Sequence, residues 1–134
     1  MIDVGLSNAV VGALQGTHRI QGFLTGGSGS VQPNNNQILA AMVACAPGQV
    51  RTVLCAASVK GSGATIVDLQ KNGVSMYHDP THRPTLPAGT GKFFGYIPDD
   101  RTVQIGDLLS LVVVQASSGS SGVVATAAIE EPWA

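Results

Sequence analysis

The sequence predicts an all-β domain, an antiparallel β-sandwich of about eight strands behind an extended N-terminal arm. Three observations carry this. Short runs rich in Val, Ile, Leu and Thr recur from residue 38 onward, each closed by Gly, Pro or Asn. With 17 Gly and 7 Pro in 134 residues, the chain is punctuated too often for a helical bundle, and no stretch keeps a period of 3.6. Finally, Lys71-Asn72-Gly73-Val74 carries the Asn-Gly pair whose two positive φ angles suit a type I′ hairpin.

Residues 1–37 hold only two charged residues, Asp3 and Arg19, and include Gly26-Gly27-Ser28-Gly29-Ser30 and Asn34-Asn35-Asn36. Such a segment builds no core of its own, so it reads as an arm. Yet Val4, Leu6, Val10, Val11, Leu14, Ile20, Phe23 and Leu24 are apolar and need cover. These eight are candidate contact residues, against either the chain's own domain or a neighbour. One helical turn near Ala9 to Leu14 is the most helix expected.

The sandwich domain, residues 38–134, is expected to contain eight strands. They run from Ile38 to Cys45, Val50 to Ser58, Ala64 to Lys71, Val74 to Tyr77, Phe93 to Ile97, Thr102 to Ile105, Leu108 to Gln115 and Val123 to Glu130. A turn at Pro47-Gly48 is expected to join the first two as a hairpin. In Thr65 to Lys71, Val67 and Leu69 share one face, the core side, opposite Asp68 and Gln70. In Leu108 to Gln115 nearly every residue is apolar, as in a central strand buried on both faces. Leu109, Leu111 and Val113 take one face. Leu108, Val112 and Val114 take the other, which calls for a partner surface, a loop or the arm. Ser117 to Gly122 reads as a flexible loop, and Trp133, after Pro132, as an anchor for the chain end.

Composition excludes several functions. Lys, Arg, Asp and Glu number 15, or 11% of the chain, and the formal net charge is −1. With no basic run there is nothing to grip phosphate backbones, so nucleic acid is not an expected partner. The longest apolar run, Ile38 to Pro47, is about half of what crosses a bilayer, and the N-terminus carries no basic region of a secretory signal. No membrane partner is expected. Cys45 and Cys55 read as buried free thiols rather than a disulfide, since Cys behaves as a small hydrophobe.

Chemistry is equally sparse. His78-Asp79-Pro80-Thr81-His82 places two potential ligands and a carboxylate within five residues, but it matches no zinc spacing and reads as a proline-bounded turn. Asp99-Asp100 and Glu130-Glu131 are not placed across a cleft as glycosidase carboxylates must be. The serines lie in Gly-Ser loops without a nucleophile elbow, and the glycine clusters lack the context of a phosphate-binding loop. No catalytic residue, cofactor or metal is expected.

Four strings nevertheless form a set: Ala46-Pro-Gly-Gln-Val-Arg-Thr-Val53, Thr65-Ile-Val-Asp-Leu-Gln-Lys-Asn-Gly-Val74, His82-Arg-Pro-Thr-Leu-Pro-Ala-Gly89 and Gly106-Asp-Leu-Leu-Ser-Leu-Val-Val-Val-Gln115. Together they resemble a family of small virion proteins of tailed bacteriophages, over roughly residues 38–131. The resemblance implies a jelly roll used as a head decoration (cement) protein or as a module of tail and fibre proteins. It implies no catalytic residues. The expected function is a decoration protein, made in the host cytoplasm, that binds the assembled head and clamps neighbouring major capsid protein subunits. The alternative is a receptor- or carbohydrate-binding fibre module. By analogy with decoration proteins the expected assembly is a homotrimer. Low charge suits such work, because interface cores are depleted in charged residues. Ten of the 15 charged residues fall between Lys60 and Asp107, so contacts are expected outside that span.

Overall fold

A computed structural model describes residues 19–29, 32–59, 61–87, 92–94 and 97–131. Among them lie ten strands: β1 (Arg19–Gly27), β2 (Gln37–Val43), β3 (Gly48–Val59), β4 (Thr65–Lys71), β5 (Val74–Ser75), β6 (Thr85–Leu86), β7 (Lys92–Phe94), β8 (Thr102–Val103), β9 (Leu108–Gln115) and β10 (Ser121–Glu131). They form two antiparallel five-stranded sheets. The first runs β1-β10-β3-β7 with β8 also on β3, and the second runs β2-β9-β4-β5 with β6 also on β4. The all-β sandwich is as the residue pattern predicts.

The core lies between the sheets and follows the pleat. Val53, Val50, Val123, Ala125, Ala127 and Ile129 from the first sheet meet Val67, Leu69, Leu109, Leu111 and Val113 from the second, all at most 1% exposed. Val67 and Leu69 therefore occupy the face that alternation assigned them. Asn72 and Gly73 have φ of 54° and 84° and close the β4–β5 hairpin, with Lys71 opposite Val74.

Three expectations are corrected. The sandwich does not begin at residue 38, because Arg19–Gly27, assigned to the arm, pairs along β10 from Arg19 opposite Glu131 to Gly27 opposite Val124. Three glycines give this strand little propensity of its own; the exposed edge of β10 supplies the ladder. Nor does Pro47-Gly48 make a hairpin: β2 and β3 belong to different sheets, so the turn carries the chain across the sandwich. Ser117 to Gly122, expected as a flexible loop, is instead a bonded crossing. The Ser117 amide donates to Thr65 Oγ1 at 3.1 Å, the Gly63 amide donates to Ser117 Oγ at 3.0 Å, and the Ser120 hydroxyl donates to the Ser117 carbonyl at 3.1 Å.

Both cysteines are free, but only Cys55 is buried; Cys45 is exposed beside the β2–β3 crossing. Burial pushes the Cys55 thiol up to about 12. The two edge strands β1 and β2 converge on one side of the sandwich. A Cβ on Gly26 would collide with the Leu39 carbonyl oxygen, so only hydrogen fits at that position. Gly26→Ala is expected to destabilise the domain by about 1–3 kcal/mol, because the obstacle is backbone rather than a movable side chain. Urea unfolding measures this, and a loss below about 0.5 kcal/mol would refute the close approach.

Candidate interaction surfaces

The residues expected to make contacts separate into three groups. Val4, Leu6, Val10, Val11, Leu14 and Trp133 lie outside the described residues. Ile20 lies on β1 with its backbone opposite Glu130. Phe23 and Leu24 are adjacent and so point to opposite faces: Phe23 is 62% exposed, whereas Leu24 is core. Leu24 thus takes its cover from the chain's own domain, one of the two alternatives, while Phe23 remains open to a neighbour.

Phe23 marks the outer face of the first sheet. Cross-strand register sets Phe23 beside Ala128, Thr25 beside Thr126 and Gly27 beside Val124. The same row continues into β3, with Thr52 opposite Ala128, Leu54 opposite Thr126 and Ala56 opposite Val124. No charged residue occurs among these nine positions. The two hydroxyls at its centre, Thr25 Oγ1 and Thr126 Oγ1, bond to each other at 2.8 Å. At one end of the face, Arg51 Nε and Glu130 Oε1 pair at 3.2 Å.

The outer face of the second sheet is divided. Near β2 it presents Ile38, Val43 and Leu108, all exposed. Near β4 it carries Asp68, only 1% exposed, where alternation alone predicts solvent. Asp68 is covered by the segment following the 3-10 turn Pro80–His82. Ser75 Oγ donates to its Oδ1 at 2.7 Å and Gln70 Nε2 to its Oδ2 at 3.3 Å. Arg83 Nε stands 3.4 Å from Oδ1, an ion pair without hydrogen-bond alignment. Tyr77 lies close by; burial, with the Asp68 charge adding to it, raises its phenol above the usual range.

Beyond Asp68 the charged groups act as struts between loops. Lys71 Nζ bonds Asp100 Oδ2 at 2.7 Å and the Thr102 carbonyl at 2.9 Å. Burial opposes ionisation of Asp100, but the bonds from Lys71 and the Thr102 amide outweigh it and hold its carboxyl low. His82, singled out with His78 and Asp79 as a conceivable ligand, bridges two carboxylates: Nδ1 lies 2.9 Å from Asp99 Oδ1 and Nε2 3.5 Å from Asp79 Oδ2. Hydrogen bonds from Thr81 hold Asp79 below the usual carboxylate range, and bonds from the Asp79 amide and His82 do the same for Asp99. Among the described residues no group of three or more His, Cys, Asp or Glu is arranged to hold a metal ion. No helix among them is long and apolar enough to cross a membrane.

Sequence reasoning missed the neutral face because β1 was missing from it. The alternation of Thr25 and Phe23 with Leu24 was the available signal, but three glycines in nine residues obscured it. The chain matches no protein-family model and no curated protein.

Two measurements test these struts. Carboxyls depressed in the folded state contribute stability that is present above the unfolded value, about 3.9, and is lost as pH falls through the folded one. Unfolding free energy is therefore expected to be flat from pH 7 to about 5 and to fall below about 4, less steeply in Asp99→Asn; identical acid limbs would contradict the strut. Arg83→Met leaves Asp68 buried without its cation. The expected loss is about 2–3 kcal/mol, under the ~3–5 of a fully buried pair because Arg83 is partly solvated. A neutral result would show that the two hydrogen bonds suffice.

Proposed function

We propose that this protein is a non-catalytic virion component, a decoration (cement) protein of a tailed-bacteriophage head, and that the outer face of its first sheet rests on the shell of major capsid protein. One observation carries the reading. Nine neighbouring outward positions on β1, β10 and β3 hold no charge, while the ion pairs of β4 and its flanking loops lie elsewhere. Surfaces that become interface cores are depleted in charge, and Phe and Val placed singly among Thr and Ala give apolar contact without a large greasy patch.

The strand order supports the jelly-roll form of this reading. β1-β10-β3-β7 faces β2-β9-β4-β5, so β1 to β4 alternate between sheets, as do β9 and β10, and the last strand lies beside the first. The resemblance in residues 38–131 points the same way.

Area also assigns work to the segment before β1. Three strands ~4.8 Å apart and about six residues long at ~3.3 Å per residue present about 300 Å², against roughly 800 Å² per partner in a standard stable interface. The face alone is too small. In this reading the apolar residues from Val4 to Leu14, which precede β1 in the sequence, supply the further contact with adjacent capsid subunits.

Cosedimentation with assembled empty heads tests this. Phe23→Glu with Val124→Glu, both solvent-facing and so neutral for folding, is expected to weaken binding at least tenfold. Deleting residues 1–18 is expected to do the same, and raising salt from 50 to 500 mM to change little. Unchanged binding by both variants, or glycan binding without capsid, would overturn the proposal and favour a fibre module.

A further inference from the structure

Asn72 does more than set a φ angle in the β4–β5 hairpin. Its amide donates to the Leu108 carbonyl at 2.8 Å, and its Oδ1 accepts the Leu108 amide at 2.9 Å. Its Nδ2 donates to Asp107 Oδ1 at 3.0 Å. The other oxygen of Asp107 accepts the Gln104 amide at 2.8 Å, while the Asp107 carbonyl accepts the Ala44 amide at 2.9 Å. One carboxamide thus clasps the hairpin to the turn before β9 and, through that turn, to the β2–β3 crossing. The clasp depends on an ionised Asp107. The bond from the Gln104 amide, and after it the bond from Asn72, hold that carboxyl below the usual range.

Asn-Gly is also the pair at which a peptide most readily loses ammonia in water, because glycine has no side chain to shield its nitrogen from the preceding carboxamide. Asn72 and Gly73 are both exposed. Apart from the chain neighbours of Gly73, no heavy atom lies within 4 Å of where its Cβ would stand, so water and hydroxide reach the turn. Both polar atoms of the carboxamide, however, are held by partners outside the hairpin.

We propose that Asn72 is a deamidation site gated by its clasp to Asp107 and Leu108, and that its conversion releases the hairpin from the turn before β9. Solvent base takes the Gly73 amide proton, and the Gly73 nitrogen attacks Asn72 Cγ. The N–Cγ bond forms, the Cγ–Nδ2 bond breaks, and ammonia leaves with a proton from water. Water then opens the succinimide at either carbonyl to give aspartate or isoaspartate. The net change is one water consumed and one ammonia released, with no oxidant or reductant.

Neither product rebuilds the clasp. An aspartate at position 72 offers only acceptors where Nδ2 had donated to a carboxylate, so two negative groups meet at hydrogen-bond separation. Isoaspartate also adds a backbone atom to a two-residue turn, which disturbs the pairing of Lys71 with Val74. Conversion therefore runs one way, and a hairpin once opened frees its carboxamide to react. The site stands independently of binding to a shell.

Incubation of the full chain at mildly alkaline pH tests this, with the peptide around Asn72 followed by mass spectrometry for a gain of about one dalton. The chain unfolded in guanidinium chloride runs alongside. Asn72 is expected to convert in the folded chain, at least threefold more slowly than in the unfolded one. Asp107→Ala, which takes the acceptor from Nδ2, is expected to raise the folded rate at least threefold, and Asp107→Asn, which keeps an acceptor, to leave it near that of the parent. The product is tested without ageing. Asn72→Asp is expected to lower the urea midpoint, and Asn72→Asp/Asp107→Asn, which again sets a donor against an acceptor, to recover at least half of the loss. Equal rates in folded and unfolded chains, no conversion at Asn72 in the folded chain, or an Asn72→Asp variant as stable as the parent would sink the proposal.

Discussion

The structure depends on where its last strand goes. Ser121–Glu131 lies between β1 and β3 and pairs with both over most of its length, so the first sheet cannot close until this strand is in place. Its inward side chains include Ala125 and Ala127, which fill little space between the sheets. Gly26, opposite Ala125, completes this economy by letting the backbone of β2 come within contact of β1. Small residues along one line thus set how closely the two sheets join on the β1–β2 side. Pairing between strands about a hundred residues apart also predisposes such a fold to slow folding, since loop closure precedes any gain.

Charge is distributed by the same geometry. The opposite side of the sandwich is sealed by short strands and long loops, whose backbones need partners that strands no longer provide. Asp99, Asp100 and Asp107 accept the amides of Asp79, Thr102 and Gln104, and Lys71 returns bonds to Asp100 and Thr102. Four charged residues of the middle of the chain are consumed in this way. The β1–β2 side is held by the β1–β10 and β2–β9 ladders, each interrupted once by a register shift, and shows fewer such struts among the described residues. A chain with 15 charged residues can therefore hold its loops firmly and still leave the middle of one sheet face uncharged.

What was legible in the sequence follows from which forces are local. Asn72-Gly73 fixes its own φ angles, and Val67 and Leu69 reveal their face by alternation, so hairpin and core side were readable. Pro47-Gly48 announced a change of direction correctly, yet turn chemistry carries no information on which sheet receives the next strand. β1 was hidden because its partner lies about a hundred residues away and its glycines mimic a linker. Asp68 sits on the face that alternation assigns to water, and only the distant Arg83 and Ser75 explain its burial. Neutrality of the surface was visible as composition, whereas its concentration into one sheet face required knowing that β1 borders β10.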